Sequence, residues 1–151
     1  NIQKRLEAIE TLKSNEVVKL ILKDGLHAHK DFNIVSYSFE CYSEEIFIRI
    51  FNIIRAKVKN SIIILGAKIE SHERLRIFLN SKNNNYALNC NPMQFKDEIS
   101  SELSNLILIQ GGSVNLDAYG TFKSGINQTV LSLKEKIQSN LSSVDNMFSD
   151  E

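Results

Sequence analysis

Apolar residues three or four positions apart predict four amphipathic helices along the chain. These helices cover residues 1–24, 44–59, 92–103 and 125–141. Ser43 is the expected N-cap of the second helix, because a serine hydroxyl can accept a hydrogen bond from the first helical turn. The second helix is apolar on more than one side, which indicates burial against a sheet. Gly25 is expected to end the first helix, and the residues after Leu141 are expected to be frayed.

Shorter apolar stretches predict four β-strands. These strands cover residues 31–39, 61–69, 74–79 and 106–109. The second strand is apolar without interruption, as in strands that are buried on both faces. In the third strand Leu75, Ile77 and Leu79 alternate with Arg74, Arg76 and Phe78, which predicts one wetter face. Together the elements predict an α/β (α+β) domain: a single mixed sheet flanked by helices and preceded by an N-terminal helix.

A glycine-rich segment follows the last predicted strand. Gly111 and Gly112 come directly after it, and Gly120 lies eight residues further on. Glycine reaches backbone conformations closed to other residues and allows close approach, so the segment is predicted to be a turn at the surface. Two interpretations stay open. The turn and the following helix bind a phosphate through backbone N–H groups, with Lys123, Ser124 and Asn127 nearby, or the turn is tight and binds nothing.

Charge is distributed unevenly although the formal net charge is zero. Between Glu44 and Lys96 there are nine basic and four acidic residues, whereas from Asp97 onward there are eight acidic and three basic residues. The end of the second helix is especially basic, with Arg55, Lys57 and Lys59. These side chains either complement the helix dipole or present a basic face to a polyanion.

Motifs for catalysis or metal binding are absent from the sequence. His27-Ala28-His29 offers two ligands, whereas metal sites need three or four that converge, so a solvated loop is expected there, and His72 is expected on a surface turn. The chain has no GxSxG, HExxH, P-loop or Asp-His-His pattern. Cys41 and Cys90 are expected to be reduced thiols. No leader and no apolar run of about 18 residues is visible, so a cytoplasmic protein without membrane contact is expected.

The order of elements and the glycine segment together resemble the C-terminal domain of alanyl-tRNA synthetase, a domain of the DHH-associated subfamily 1 type. The resemblance spans residues 31–141. It includes a helical connector before the first strand, a basic stretch at 55–59 before the strand that begins at Ile62, and a glycine motif followed by a closing helix. In that motif Gly111, Gly112, Ala118 and Gly120 match the family pattern. Ser113 replaces a third glycine, and Asn115 stands near the place of a common proline.

The resemblance implies a domain that has no catalytic site and binds tRNA, helping to position tRNA(Ala) for aminoacylation and editing. The implied nucleic-acid-binding residues are Arg55, Lys57, Lys59, Gly111, Gly112, Ser113, Asn115, Gly120 and Lys123. It divides the chain into a connector at 1–28, the domain at 29–142 and a flexible tail at 143–151. No cofactor is implied for this chain, whereas the ATP, Mg²⁺ and zinc of the alanine–tRNA ligase belong to its catalytic parts.

Two alternatives stay open beside this interpretation. The chain is the nucleic-acid-binding cap of a DHH-family phosphoesterase or exonuclease, or it is a pure dimerisation module. The second alternative depends on a short heptad seam in the first helix, formed by Ile2, Leu6 and Ile9, which predicts a homodimer.

Overall fold

The computed structural model describes residues 2–81, 86–111 and 114–149, and side-chain surroundings for residues 13–81, 86–104 and 114–147. The helices are α1 (Ile2–Asp24), α2 (Glu44–Lys57), α3 (Lys96–Glu102) and α4 (Ile126–Ser149). The strands are β1 (Leu26–His29), β2 (Phe32–Cys41), β3 (Ser61–Ile69), β4 (His72–Asn80), β5 (Leu103–Gly111) and β6 (Asn115–Phe122). Short 3-10 helices cover Ala87–Asn89 and Pro92–Phe95.

The strands form one mixed sheet in the order β1-β2-β3-β4-β6-β5. β2 and β3 pair in parallel, and the other neighbouring strands pair antiparallel. A parallel pair needs a crossover connection, and α2 supplies it. The predicted fold class, a single mixed sheet flanked by helices after an N-terminal helix, is therefore confirmed.

One face of the sheet packs against α4, α3 and the 3-10 helices. Ile62, Ile64 and Ile77 point to this side and are fully buried with the apolar side of α4. Gly66 allows α4 to approach closely, because a Cβ there would lie 2.6 Å from Ile126 Cγ1 and 2.7 Å from Val130 Cγ2. The continuous apolar run of β3 is thus explained by burial on both faces, as its sequence predicts.

The opposite face packs against α1 and α2. Phe47, Ile50 and Ile54 of α2 are buried there with Ile63 and Leu65 of β3. The predicted N-cap is confirmed, since the Ser43 hydroxyl accepts a hydrogen bond of 3.3 Å from the Ile46 N–H. The second helix is thus buried against the sheet, as its apolar sequence predicts.

Three predictions about individual elements are wrong. Residues 27–29 are not a solvated loop but part of β1, which pairs with the start of β2. His72 is not on a surface turn but begins β4. The predicted turn from Gly111 to Gly120 is shorter than expected, because residues from Asn115 onward form β6 and pair with both β4 and β5.

Helix boundaries also differ from those predicted. α2 ends at Lys57 rather than Lys59, because Val58 leaves the helical conformation while its N–H still bonds to the Ile54 carbonyl. The predicted helix over 92–103 is a 3-10 turn followed by α3, and Leu103 already belongs to β5.

The last helix does not end at Leu141 but continues to Ser149. Val144 is buried on the sheet. Asp145 accepts hydrogen bonds from Tyr86 and Lys30 and lies 2.8 Å from His29 Nε2. These contacts hold the helix beyond the predicted end, across the proposed boundary at residue 142; the division of the chain into segments stays a prediction.

None of the helices among the described residues combines the length and the apolar character needed to cross a lipid bilayer.

Candidate nucleic-acid interface

The C-terminal end of α2 presents the predicted basic residues to solvent. Arg55, Lys57 and Lys59 are all exposed. The main chain beneath them is fixed, because the Asn80 side-chain amide donates to the Arg55 carbonyl at 2.9 Å and to the Val58 carbonyl at 2.7 Å. These bonds satisfy carbonyl groups that a helix end leaves without an intrahelical partner. The basic end is therefore a defined feature of the fold rather than a frayed helix end.

The start of β6 lies beside this basic end. Asn115 pairs with Phe78 of β4, and the Leu79 N–H donates to the Val114 carbonyl at 2.8 Å. Gly111 is the last residue of β5 and pairs with Leu116. Gly112 and Ser113 lie outside the described residues. Since Asn80 is the last residue of β4 and bonds to the end of α2, the structure brings Asn115 and Gly111 to the same end of the sheet as the basic residues. We call this end, with Arg55, Lys57, Lys59, Gly111 and Asn115, the basic end.

Two other predicted binding residues lie at the opposite end of β6. Gly120 pairs with Glu73 near the start of β4, and the Lys123 N–H donates to the Glu102 carbonyl at 2.7 Å. Gly120 lies five residue steps along the strand from Asn115, which corresponds to about 17 Å. The structure therefore does not bring Gly120 and Lys123 together with the basic end.

The start of α4 is occupied by a carboxylate of the chain itself. Glu73 accepts hydrogen bonds from the Phe122 N–H at 2.9 Å and from the Ile126 N–H at 2.8 Å. A helix N-terminus favours an anion in this place, and Glu73 supplies it. This arrangement favours a structural role for the strand-to-helix turn at Ser124 and Gly125 over the phosphate site that the sequence left open.

Three stacked pairs of a guanidinium and an aromatic ring join α2 to β4. Arg74 lies over Phe47 at 4.8 Å from the ring centroid, Arg76 over Phe51 at 4.6 Å, and Arg55 over Phe78 at 4.7 Å. The pairing follows from matched spacing. Four helix residues rise about 6 Å, and two strand residues rise about 6.6 Å. We call this series the stacked ladder; its last pair lies at the basic end.

The first two pairs of the stacked ladder are neutralised by carboxylates. Arg74 donates from Nε to Glu44 at 2.8 Å and lies 2.7 Å from Asp117, which also accepts from Arg76 at 2.6 Å. Tyr119 covers the second face of the Arg74 guanidinium at 4.3 Å and donates to Glu44 at 2.7 Å. Arg74 is only 1% exposed, so the prediction of a wetter face on β4 is wrong at this position.

Burial and ion pairing have opposite effects on the pKa values in this network. Burial alone would raise the pKa of Asp117, but the hydrogen bonds and charges of Arg76 and Arg74 outweigh it and the pKa is lowered. Burial alone would lower the pKa of Arg74, but the hydrogen bonds and charges of Glu44 and Asp117 outweigh it and the pKa is raised. Both groups are therefore charged at neutral pH, as a buried ion pair requires.

The third pair differs in its electrostatics. Among the described residues, neither Arg55 nor Lys57 lies within ion-pair distance of a carboxylate. The positive charges of Arg74 and Arg76 are balanced by Glu44 and Asp117. These two arginines therefore add little to the net charge that residues 44–96 present to a partner. Among the described residues, Arg55, Lys57 and Lys59 thus form a cluster of exposed cations at the basic end.

Possible metal ligands, the two cysteines and the predicted heptad residues remain to be placed in the fold. No group of three His, Cys, Asp or Glu residues that is suited to a metal ion is found in the described part of the chain. Burial raises the pKa of the Cys90 thiol to about 12 and also raises that of Cys41. Thiols with raised pKa values are poor nucleophiles at neutral pH.

The helix predicted to carry Ile2, Leu6 and Ile9 is present as α1. The side chains of these three residues are not among those that the structure describes.

Comparison with solved structures identifies the fold. The chain superposes on the C-Ala domain of alanyl-tRNA synthetase from Aquifex aeolicus with a TM-score of 0.53. The match covers 74% of this chain and 96% of that domain. The chain has the C-Ala fold. The resemblance inferred from the sequence is thus confirmed in three dimensions.

The C-Ala fold is shared at 15% sequence identity. No protein-family model and no curated protein sequence matches the chain. The likeness is therefore one of architecture, and the roles of individual residues rest on the geometry of this chain.

Two residues that support the basic end were missed by sequence reasoning. Phe78 supports Arg55, and Asn80 holds the end of α2, although neither belongs to a motif. The only sequence signal was the alternation in β4, which places Phe78 on the same face as Arg74 and Arg76. That signal gives the face but not the contact, because the contact depends on how α2 lies on the sheet.

Proposed function

We propose that the chain is the tRNA-binding C-terminal domain of an alanyl-tRNA synthetase and that it helps to position tRNA(Ala) for aminoacylation and editing. The observation that carries this proposal is the meeting of two separate sequence features at one end of a C-Ala fold. The basic C-terminus of α2 and the adjoining ends of β5 and β6 lie at the same end of the sheet, although about fifty residues separate them in the chain.

The chemistry of the basic end suits an RNA backbone. Arg55, Lys57 and Lys59 are exposed cations on a fixed stretch of main chain. Phosphate contacts supply most of the affinity of such surfaces and make it dependent on salt. Double-helical RNA is recognised mainly through its shape, phosphates and 2′-hydroxyls, so we infer contact with the backbone rather than reading of paired base edges.

Removal of the three cations tests the proposal. In a filter-binding titration of tRNA(Ala), the triple variant Arg55→Ala, Lys57→Ala, Lys59→Ala should bind at least about tenfold more weakly, and the slope of log affinity against log salt should become shallower by about 2. The three side chains are exposed, so the melting temperature should stay within about 2 °C of the parent.

A charge-matched control separates this site from general attraction to polyanions. The triple variant Lys68→Ala, Lys96→Ala, Lys123→Ala removes the same charge from exposed positions away from the basic end. It should lose less than about threefold in affinity. Equal losses in the two triple variants would show that tRNA does not bind at the basic end, and no tRNA binding by the parent chain would refute the proposed function.

Homodimerisation through α1 is a separate proposal, supported by the heptad spacing of Ile2, Leu6 and Ile9. Sedimentation equilibrium of the chain with and without residues 1–12 checks it. The intact chain should be a dimer, and a monomeric intact chain would contradict the proposal.

A further inference from the structure

We propose that the open face of the Arg55 guanidinium, backed by Phe78, stacks on an unpaired nucleobase. This inference rests on the proposed function. It adds a second ligand group, the face of a base, to the phosphates that the neighbouring lysines attract.

The position of Arg55 in the stacked ladder carries the inference. In the first two pairs the guanidinium is on the strand and the ring is on the helix, whereas in the third pair Arg55 is on the helix and Phe78 is on the strand. This reversal puts a guanidinium at the outer end of the ladder. The Phe78 ring lies against this guanidinium at 4.7 Å from the ring centroid, and Arg55 is otherwise exposed to solvent.

The other two guanidinium groups of the stacked ladder are less available to a partner, because Arg74 is buried and the charge of Arg76 is paired with Asp117. Arg74 is enclosed between Phe47 and Tyr119, at 4.8 and 4.3 Å from the ring centroids. Arg76 lies over Phe51 and donates from Nε to Asp117 at 2.6 Å. Arg55 has neither a second ring nor a carboxylate among the described residues. It is the member of the ladder whose stacking and charge are both available to a partner.

The geometry favours a base over a further phosphate as the group above Arg55. Phosphate oxygens bind guanidinium groups edge-on through the N–H donors, whereas a base binds the flat face. The contact with Phe78 restricts the Arg55 side chain, so that less rotational freedom is lost when a base is added on its open side. Nucleobases in single-stranded segments and loops stack on arginine planes in this way, whereas paired bases have both faces covered by their neighbours.

Two oligoribonucleotides of equal length and charge test the inference. One is a 12-mer of adenosine and the other is a 12-mer of abasic ribose phosphate, and binding of each is measured by fluorescence anisotropy at fixed salt. The parent chain should bind the adenosine oligomer about tenfold more tightly than the abasic oligomer. Because the phosphates are the same, this ratio reports the contribution of the bases.

Three variants assign the ratio to the stack. Arg55→Lys keeps the charge and loses the planar group, so the ratio should fall to about 1 while the salt dependence stays the same. Phe78→Leu should lower the ratio without altering any charge, and its melting curve is recorded to confirm that it folds. Lys57→Ala is the control and should weaken binding to both oligomers by the same factor.

The outcomes separate the inference from the proposed function. If the parent chain binds tRNA but binds the two oligomers equally, or binds neither, the stacking inference is overturned and the proposed function stands. If Arg55→Lys keeps the full preference for adenosine, the base stacks elsewhere and the inference is again overturned. If the parent chain binds neither tRNA nor the oligomers, both fall.

Discussion

Gly25 shows how a single residue determines the path of the chain between α1 and the sheet. Its N–H donates to the Ile21 carbonyl at 2.7 Å, and its own carbonyl accepts from the Ser36 N–H at 2.9 Å. A Cβ at this position would lie 2.5 Å from the Ser36 oxygen and 2.9 Å from the Ile21 oxygen. Both neighbours are backbone atoms that cannot rotate away. The sequence predicted Gly25 as a helix end, but the physical reason is close packing.

Substitution of Gly25 should therefore be costly even for the smallest side chain. We expect Gly25→Ala to lower the free energy of unfolding by about 3 kcal/mol, at the upper end for overpacking, as measured by urea denaturation. Gly125→Ala is the matched control, because Gly125 has a φ of +84° but a Cβ there would meet nothing within 4 Å. Its cost should be about 1 kcal/mol, from backbone strain alone. A smaller loss for Gly25→Ala than for Gly125→Ala would contradict this packing.

Asp145 is the residue that fastens the end of α4. Its hydrogen bond from Tyr86, followed by those from Lys30 and His29, lowers its pKa to about 2. An unfolded aspartate has a pKa of about 3.9. Because the folded pKa is the lower one, the ionised carboxylate stabilises the fold above about pH 4, and this contribution is lost as the pH falls towards 2.

The pH dependence of an Asp145 variant checks this contribution. Asp145→Asn should be less stable than the parent in urea at pH 7, and the difference should shrink as the pH falls from 4 to 2. Asp24→Asn serves as the control, since the Asp24 side chain is exposed and has no hydrogen bond within the described residues. It should change stability little at any pH. A loss in Asp145→Asn that is constant from pH 7 to pH 2 would show that the carboxylate charge is not what stabilises the helix end.

Among the helices and strands, those whose apolar pattern follows directly from burial were predicted correctly from the sequence. The strand over 61–69 was predicted with the bounds that β3 has, because a strand covered on both faces is apolar throughout. The second helix was found for a similar reason, whereas its cap at Ser43 was predicted from the capping chemistry of serine. In contrast, β1 was missed because Leu26–His29 is an edge strand of only four residues, too short for the alternation of Leu26 and Ala28 with histidines to identify it.

The sequence contained a strand pattern for β6, but the glycines in this segment led to the prediction of a turn. Leu116, Ala118 and Phe122 alternate with polar residues at strand spacing, yet the glycines suggested a turn over the whole segment. The end of α4 is a similar case, because Val144 continues the helical spacing of Ile137 and Leu141.

The cations of the basic end, Arg55, Lys57 and Lys59, were visible in the sequence as a charge cluster. The proximity of this cluster to Asn115 was not visible, because it depends on the antiparallel pairing of β4 with β6.

Across the whole molecule, some arginines are paired with carboxylates inside the C-Ala fold, whereas other cations are exposed to solvent. Arg74 and Arg76 lie in the middle of the basic sequence region but are paired with Glu44 and Asp117 inside the protein. The cations at the end of α2 are left to solvent. The start of α4, which also suits an anion, already holds Glu73. We therefore propose that tRNA contacts the protein at the basic end.

Hydrogen–deuterium exchange of the chain with and without tRNA(Ala) tests that claim most directly. We predict slower exchange on tRNA binding in residues 55–61 and 110–116, which form the two sides of the basic end. Residues 120–127, at the opposite end of β6 and the start of α4, should exchange at the same rate in both states. Protection confined to residues 120–127, or no protection of 55–61 under conditions where tRNA is bound, would contradict the account.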